Sequence, residues 1–263
     1  MTRDCHPPHG PALWIPPAAL LAAAALIGAG GWTQPLFLEL NHWGGGDPVW
    51  AGLTLFGEPL VALALGLVCH LRRPQAGWAL ILGGLVAALA VNLLKSGLGL
   101  PRPLAVLPPE NFHQIGELLH WRAMPSGHTA TAFLFAAVVF WCADYRAMRW
   151  GALIIATLAG LSRIMVGAHW PTDVLAGAAL GWLMGALGVW LAGRWTGLLH
   201  RRGQIAGAVI LGASALSLPF YRSGYPEAHE LQTAIGLAAL TLAAIALWRR
   251  QRGRRNNTTP PRR

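Results

Sequence analysis

Long apolar runs alternate along the chain with short segments rich in arginine, proline and glycine. Each run approaches the roughly 20 mostly apolar residues that an α-helix needs to cross a membrane. The pattern predicts an all-α, polytopic membrane helical bundle of about eight spans, which leaves no room for a soluble domain. The predicted spans are 12–32, 48–71, 77–98, 126–143, 150–168, 172–192, 204–220 and 231–248. The first run lacks a small-x-small cleavage site, so we expect it to be a retained helix.

The composition supports a membrane protein. Hydrophobic residues make up 54% of the chain and charged residues 11%, whereas a soluble domain carries roughly 25% charge. A water-facing surface cannot be built from so few charges. The three cysteines, Cys5, Cys69 and Cys142, are far apart and form no CxxC motif, so neither a disulfide framework nor a zinc site is expected.

Basic residues are distributed unevenly along the chain. The net charge is +10, which in a soluble protein would suggest a nucleic-acid partner. Here seven of the basic residues follow the last apolar run, within 249–263, and indicate a membrane-flanking tail; no nucleic-acid partner is expected. The connections on one side of the predicted bundle hold 15 basic residues and those on the other side hold five. Because basic loops stay in the cytoplasm, both termini are expected inside.

The few basic residues on the outer side include three in fixed patterns. These patterns are Lys95-x6-Arg102-Pro103, Pro125-Ser126-Gly127-His128 and Ser162-Arg163-x5-His169-x3-Asp173. In a chain that crosses the membrane at every helix, ends of odd-numbered helices and starts of even-numbered helices share one side. All three patterns are therefore predicted to meet at one outer face.

The residue types in this set indicate a phosphate pocket. Lys95, Arg102 and Arg163 lack matching local carboxylates, and guanidinium groups fit phosphate oxygens bidentately. Ser126 and the backbone amides of the two residues after it, Gly127 and His128, lie where a helix starts, and such positions bind anions.

The two remaining side chains, His169 and Asp173, resemble a nucleophile and its orienting carboxylate, because an acceptor on one ring nitrogen leaves the other lone pair free to attack phosphorus. His128 is the candidate to protonate the departing oxygen. The ten carboxylates are scattered, with no DxD or HExxH motif, so no metal ion and no cofactor are expected.

This order and spacing of motifs resembles the type 2 phosphatidic acid phosphatase superfamily. The resemblance covers roughly residues 48–192 and implies a metal-independent phosphatase that works through a phosphohistidine. It implies that His169 is the nucleophile, Asp173 its partner and His128 the general acid. The phosphate-binding residues that it implies are Lys95, Arg102, Ser126, Gly127 and Arg163.

We therefore expect a six-span phosphatase-like core in 1–196, an additional transmembrane helix pair in 197–248 and a disordered basic cytoplasmic tail in 249–263. The extra pair departs from the usual six helices of the membrane members.

Several positions keep two interpretations. Glu58 either lies beside the pocket and balances a cation, or marks a helix break at Gly57-Glu58-Pro59. Arg122 either contacts a second phosphate or lipid headgroup, or is a satisfied loop arginine. The loop 222–230, which contains Tyr225, either borders the substrate headgroup or is plainly solvated.

Gly177, Gly181 and Gly185 form a GxxxGxxxG stripe that permits close helix approach. The stripe packs either within the monomer or across a dimer, and the oligomeric state is left open.

The predicted function is hydrolysis of a membrane lipid phosphate or diphosphate, such as an isoprenoid diphosphate carrier, a phospholipid phosphate or lipid A. The expected partners are this lipid and the bilayer, and the expected location is a bacterial inner membrane with the site facing the periplasm or outside. A phosphotransferase that uses the same site, or a non-enzymatic membrane transporter or scaffold, is the alternative.

Overall fold

A computed structural model describes residues 5–44 and 48–258. Its α-helices are α1 (Pro11–Ala29), α2 (Thr33–His42), α3 (Pro48–Thr54), α4 (Pro59–Arg72), α5 (Pro74–Leu98), α6 (Pro103–Val106), α7 (Gly127–Cys142), α8 (Arg146–Met165), α9 (Pro171–Arg194), α10 (Arg201–Ser217) and α11 (His229–Thr258). Short 3-10 turns connect several of them, and the described part of the chain contains no strand, only one isolated bridge between Pro101 and Trp121. The predicted all-α bundle is confirmed.

Helices α7 and α9 form the centre of the bundle. α9 packs along α7 and also contacts α5 and α1. A Cβ atom added at Gly181 would lie 2.1 Å from the carbonyl oxygen of Ala130 on α7, and Gly177 and Gly185 face α7 in the same way. The glycine stripe therefore packs within the chain, which leaves it no free face for a dimer contact.

Most of the predicted spans correspond to long apolar helices. Among the described residues, six helices are long and apolar enough to cross a membrane, or seven if one bent pair counts as a span. The outward face of α5 is a stripe of leucines at positions 85, 89 and 93, which are 66%, 61% and 64% exposed. An apolar stripe of this kind fits lipid and not water. The protein is an integral membrane protein.

The predicted span 48–71 is broken at Glu58, as one of the two interpretations of that residue required. Helices α3 and α4 meet at an angle of 63°. Glu58 at the break has extended backbone angles (φ −73°, ψ 129°) because the next residue is Pro59, and a residue before proline is pushed out of the helical region. Pro59 then starts α4, where its missing N–H is not needed.

Two further elements differ from the sequence-based expectations. Helix α7 has only 16 residues and is about 24 Å long, shorter than a usual span. Helix α11 continues to Thr258, into the tail predicted to be disordered, because arginine is a good helix former. The last five tail residues, 259–263, lie outside the described residues.

The predicted absence of a disulfide is wrong. Cys5 and Cys142 are bonded to each other, although 137 positions separate them. The N-terminal segment runs back along the end of α7, where His6 N donates to Trp141 O. The disulfide lies at the C-terminal end of α7, opposite the end that carries the Pro125–His128 motif.

Helices α10 and α11 pack on α4 and against each other. The extra C-terminal pair is therefore attached to the bundle through the helix that follows Glu58. We call the link between these two helices, residues 218–228, the hairpin loop.

Candidate active site

The predicted site residues come from five helices and one link that meet at one face of the bundle. Lys95 lies in the last turn of α5 and Arg163 in the last turn of α8. Arg102 precedes α6, while Ser126, Gly127 and His128 start α7. His169 lies in the link between α8 and α9, and Asp173 lies in the first turn of α9. The structure brings all eight residues together.

Ser126 fixes the start of α7 beside the start of α9. Its backbone N–H donates to the carbonyl oxygen of Asp173 at 3.0 Å. Its Oγ accepts hydrogen bonds from Thr129 N at 3.4 Å and from Thr129 Oγ1 at 2.9 Å. Because Oγ is the acceptor in both bonds, the serine hydroxyl hydrogen remains available to an anion at this helix start.

His169 and Asp173 form a buried pair. Nδ1 of His169 lies 3.2 Å from Oδ2 of Asp173, and the same oxygen accepts a hydrogen bond from Trp170 N at 2.9 Å. The carboxylate thus directs the ring proton to Nδ1 and leaves Nε2 with a lone pair. Burial, together with the nearby charges of Arg102 and Arg163, holds the pKa of His169 well below its usual value. The ring is neutral at pH 7, as a nucleophile must be.

The two buried arginines are held by neutral oxygens. Arg102 donates from Nε to Trp121 O and from Nη1 to Ala168 O, both at 3.1 Å. Burial and the charge of Arg163 lower the pKa of Arg102 to about 10, so that it stays cationic at neutral pH. Neither arginine forms an ion pair with a carboxylate in the described part of the chain.

Arg163 has one anchored edge and one open edge. Nη1 donates to Thr54 Oγ1 at 2.5 Å and to Tyr225 OH at 2.6 Å. Nε is buried and has no hydrogen-bond partner among the described residues. A buried donor without a partner costs free energy, and a phosphate oxygen would satisfy it.

Glu58 lies both at the helix break and beside the pocket. The helix breaks at this residue, and the buried carboxylate contacts His128, with Oε1 3.0 Å from Nε2. Tyr221 OH donates to the other carboxylate oxygen at 3.3 Å. Glu58 therefore fixes the His128 ring at the edge of the pocket.

Arg122 is a satisfied loop residue. It is exposed, and its Nη2 donates to Asn92 Oδ1 and Ser96 Oγ, both at 3.2 Å, on the surface of α5. These contacts agree with the second of the two interpretations.

Three residues at this end of the bundle, Thr54, Tyr221 and Asn41, were not singled out from the sequence, and Tyr225 was considered only as part of a loop that borders the headgroup. Thr54 and Tyr225 hold Arg163, and Tyr221 holds Glu58. Buried Asn41 donates from Nδ2 to Ile164 O at 2.9 Å and to Met165 O at 3.1 Å, and its Oδ1 accepts from His113 N at 2.7 Å, which ties the 107–116 loop to the end of α8. The only sequence signal was polarity beside apolar runs.

An apolar cavity of about 500 Å³ opens beside His128. Residues of α4, α5, α7 and α10 line it, from Gly127 and Asn92 near the site to Leu80 and Leu134 deeper in the bundle. The α5 residues of its wall, Leu80 to Asn92, span about 18 Å along the helix axis. The cavity therefore leads from the pocket into the apolar interior.

Comparison with known proteins supports the resemblance in the motifs. Residues 76–197 match the model of the PAP2 superfamily. The bacitracin transport permease protein BcrC of Bacillus licheniformis is 32% identical over 135 residues, which cover 49% of this chain and 64% of that protein. A lipid A 1-phosphatase of Rhizobium johnstonii is 31% identical over 155 residues, 52% of this chain and 60% of that protein.

A solved structure shares the architecture. The crystal structure of LpxE from Aquifex aeolicus superposes with a TM-score of 0.54 and 28% identity, and the match covers 60% of this chain and 94% of that chain. The chain spans less than two thirds of the length of the curated relatives it matches.

Proposed function

We propose that the protein is a membrane phosphohydrolase that removes phosphate from a lipid phosphate or diphosphate, in keeping with the match of residues 76–197 to the PAP2 superfamily. The observation that carries the proposal is a neutral, carboxylate-oriented His169 next to two buried arginines that form no ion pair with a carboxylate among the described residues. Such a pocket attracts a dianion and presents a nitrogen lone pair to it.

The reaction begins with attack of His169 Nε2 on phosphorus. A P–N bond forms while the P–O bond to the lipid breaks, and His128 donates a proton to the departing lipid oxygen. The ring of His169 then carries positive charge, which Asp173 stabilises through Nδ1. Lys95, Arg102 and Arg163 stabilise the charge on the phosphoryl oxygens.

Water completes the reaction. It attacks phosphorus, the P–N bond breaks, and His128 takes up the proton of the attacking water. Inorganic phosphate leaves and His169 is again neutral. The three cations of the pocket supply the charge stabilisation that a metal ion supplies in other phosphatases, so we propose a metal-independent reaction.

A lipid is the substrate class that the apolar cavity supports. The cavity adjoins His128, the proposed donor to the leaving group, so a hydrocarbon chain attached to that group has a place to lie. Burial of apolar chain contributes about 0.8 kcal/mol per methylene. The lipid A 1-phosphatase name of one relative agrees with this class.

We also propose that the site faces the periplasm or outside of a bacterial inner membrane. The support is the excess of basic residues on the opposite side. A cysteine introduced at Val106 should react with an impermeant thiol reagent added from outside, and one introduced at His200 should not. The reverse labelling would place the pocket in the cytoplasm.

The decisive assay measures phosphate release from a panel of lipid phosphates by the purified protein in detergent, with and without a chelator. We expect release that the chelator leaves unchanged, and none from His169→Ala. One relative is named a transport permease, which favours transport as the second candidate. A protein that releases no phosphate from any lipid of the panel, yet binds one of them, would support that candidate. Phosphate release that requires a lipid acceptor would indicate a phosphotransferase.

A further inference from the structure

We infer that Tyr225 of the hairpin loop is a positioning residue for Arg163, so that the C-terminal helix pair completes the active site; this rests on the proposed function. Tyr225 lies beyond the segment that matches the family, which ends at residue 197. Its hydroxyl nevertheless accepts a hydrogen bond of 2.6 Å from Arg163 Nη1, and its ring centroid lies 5.5 Å from the guanidinium carbon.

The hairpin loop is packed around Tyr225, although several of its other residues are exposed. Tyr225 is buried in an apolar cluster with Leu55 of the turn before the helix break and Val166 at the end of α8. A Cβ atom at Gly116 would lie 2.6 Å from the tyrosine ring, so the loop between α6 and α7 closes over it. Buried Gln232 donates to the carbonyl oxygens of the 218–221 turn. These contacts fix the position of the tyrosine hydroxyl.

The anchored edge of Arg163 determines where its open edge points. Two hydroxyls from separate elements, Thr54 of α3 and Tyr225 of the hairpin loop, hold Nη1. The orphaned Nε lies on the other edge of the guanidinium, where the Nε and Nη2 hydrogens form the fork that binds two phosphate oxygens. Both hydroxyls are neutral, so they orient the cation without cancelling its charge.

The same loop reaches the leaving-group side of the pocket. Tyr221 OH donates to Glu58 Oε2, and Glu58 Oε1 contacts His128. The C-terminal pair thus contacts the phosphate-binding side through Arg163 and the proton-donating side through Glu58. A helix pair outside the family segment that contacts both sides has a role in positioning.

The test compares phosphate-analogue binding in matched tyrosine variants. Tyr225→Phe keeps the ring and removes the hydroxyl, and Tyr145→Phe makes the same change at an exposed position on the opposite end of the bundle. The probe is orthovanadate, scored as its inhibition constant and as thermal stabilisation without substrate. We expect Tyr225→Phe to weaken orthovanadate binding and to lower kcat/KM about 10-fold, the lower end of the effect of one hydrogen bond to a charged group, and Tyr145→Phe to leave both unchanged.

A second set of variants tests the other anchor. Thr54→Val should weaken orthovanadate binding in the same way, and Thr54→Ser, which keeps the hydroxyl, should restore it. Wild-type affinity in both Tyr225→Phe and Thr54→Val would overturn the inference and leave the proposed function intact. A wild-type protein that neither hydrolyses a lipid phosphate nor binds orthovanadate would overturn the proposed function itself.

Discussion

Replacement of Asp173 by asparagine tests the chemistry of the His169 pair directly. Asp173 Oδ2 accepts hydrogen bonds from Trp170 N at 2.9 Å and from His169 Nδ1 at 3.2 Å. The asparagine carbonyl can keep the bond to Trp170 N, so the first turn of α9 should stay folded. The same oxygen can also keep the bond to His169 Nδ1, so the variant leaves the geometry in place and removes the negative charge that stabilises the ring once Nε2 has formed the P–N bond.

The expected loss is large. Two opposite unit charges about 4 Å apart attract by about 4 kcal/mol at the effective dielectric constant of a protein. We expect Asp173→Asn to lower kcat about 10²- to 10³-fold, which corresponds to about 2.7 to 4 kcal/mol of transition-state stabilisation. Orthovanadate binding should change little, because Lys95, Arg102 and Arg163 are untouched.

The assay is phosphate release from a lipid phosphate, together with rapid-quench trapping of the phosphoenzyme with labelled substrate. Asp144→Asn is the matched control, because Asp144 pairs with Arg73 at the opposite end of the bundle and its side chain is 51% exposed. The control should retain wild-type kcat. An Asp173→Asn protein that folds and keeps kcat within about 10-fold of wild type would refute the assigned role of Asp173.

Three further predictions concern packing, pH and topology. Gly181→Ala should lower the Tm, because its Cβ would lie 2.1 Å from Ala130 O and overpacking costs about 1–3 kcal/mol. The control Gly151→Ala should leave the Tm unchanged, because a Cβ at Gly151 has no atom within 4 Å. Equal Tm values for the two variants would contradict the α7–α9 packing. Since the pKa of His169 is held well below its usual value, the fall of kcat/KM on the acid side should begin only below about pH 6.5. Protonation of His169 that lowers kcat/KM already above that pH would be inconsistent. If the site faces outside, the bond between Cys5 and Cys142 lies at the cytoplasmic end, where the cell reduces disulfides. Alkylation in denaturing lysates of whole cells should then modify both cysteines, and protection of both would reverse the proposed orientation.

Much of the fold was predictable because each apolar run is long and each motif lies at a helix end. The parity of the helix ends placed Lys95, Ser126 and Arg163 on one face without a structure. Local chemistry also explains the bend in 48–71, since Pro59 restricts the residue before it. The sequence pattern contained this break, and only the contact with His128 decided that Glu58 faces the pocket.

The anchors of the arginines were not predictable from local patterns. Thr54, Tyr225 and Arg163 are separated by more than 60 positions from one another, and no periodicity relates them. The bond between Cys5 and Cys142 is of the same kind, because it depends on where the N-terminal segment runs along α7. Such pairings follow from tertiary packing, which a single sequence does not display.

The way in which the two arginines are held explains why the pocket can serve a phosphate. A buried cation is costly unless hydrogen bonds or an opposite charge compensate it. Arg102 is compensated by two carbonyl oxygens and Arg163 by two hydroxyls. Because these acceptors are neutral, they lower the cost of burial and leave the positive charge for the substrate. A carboxylate in the place of Tyr225 would hold Arg163 equally well, but it would neutralise the charge that the phosphoryl group requires.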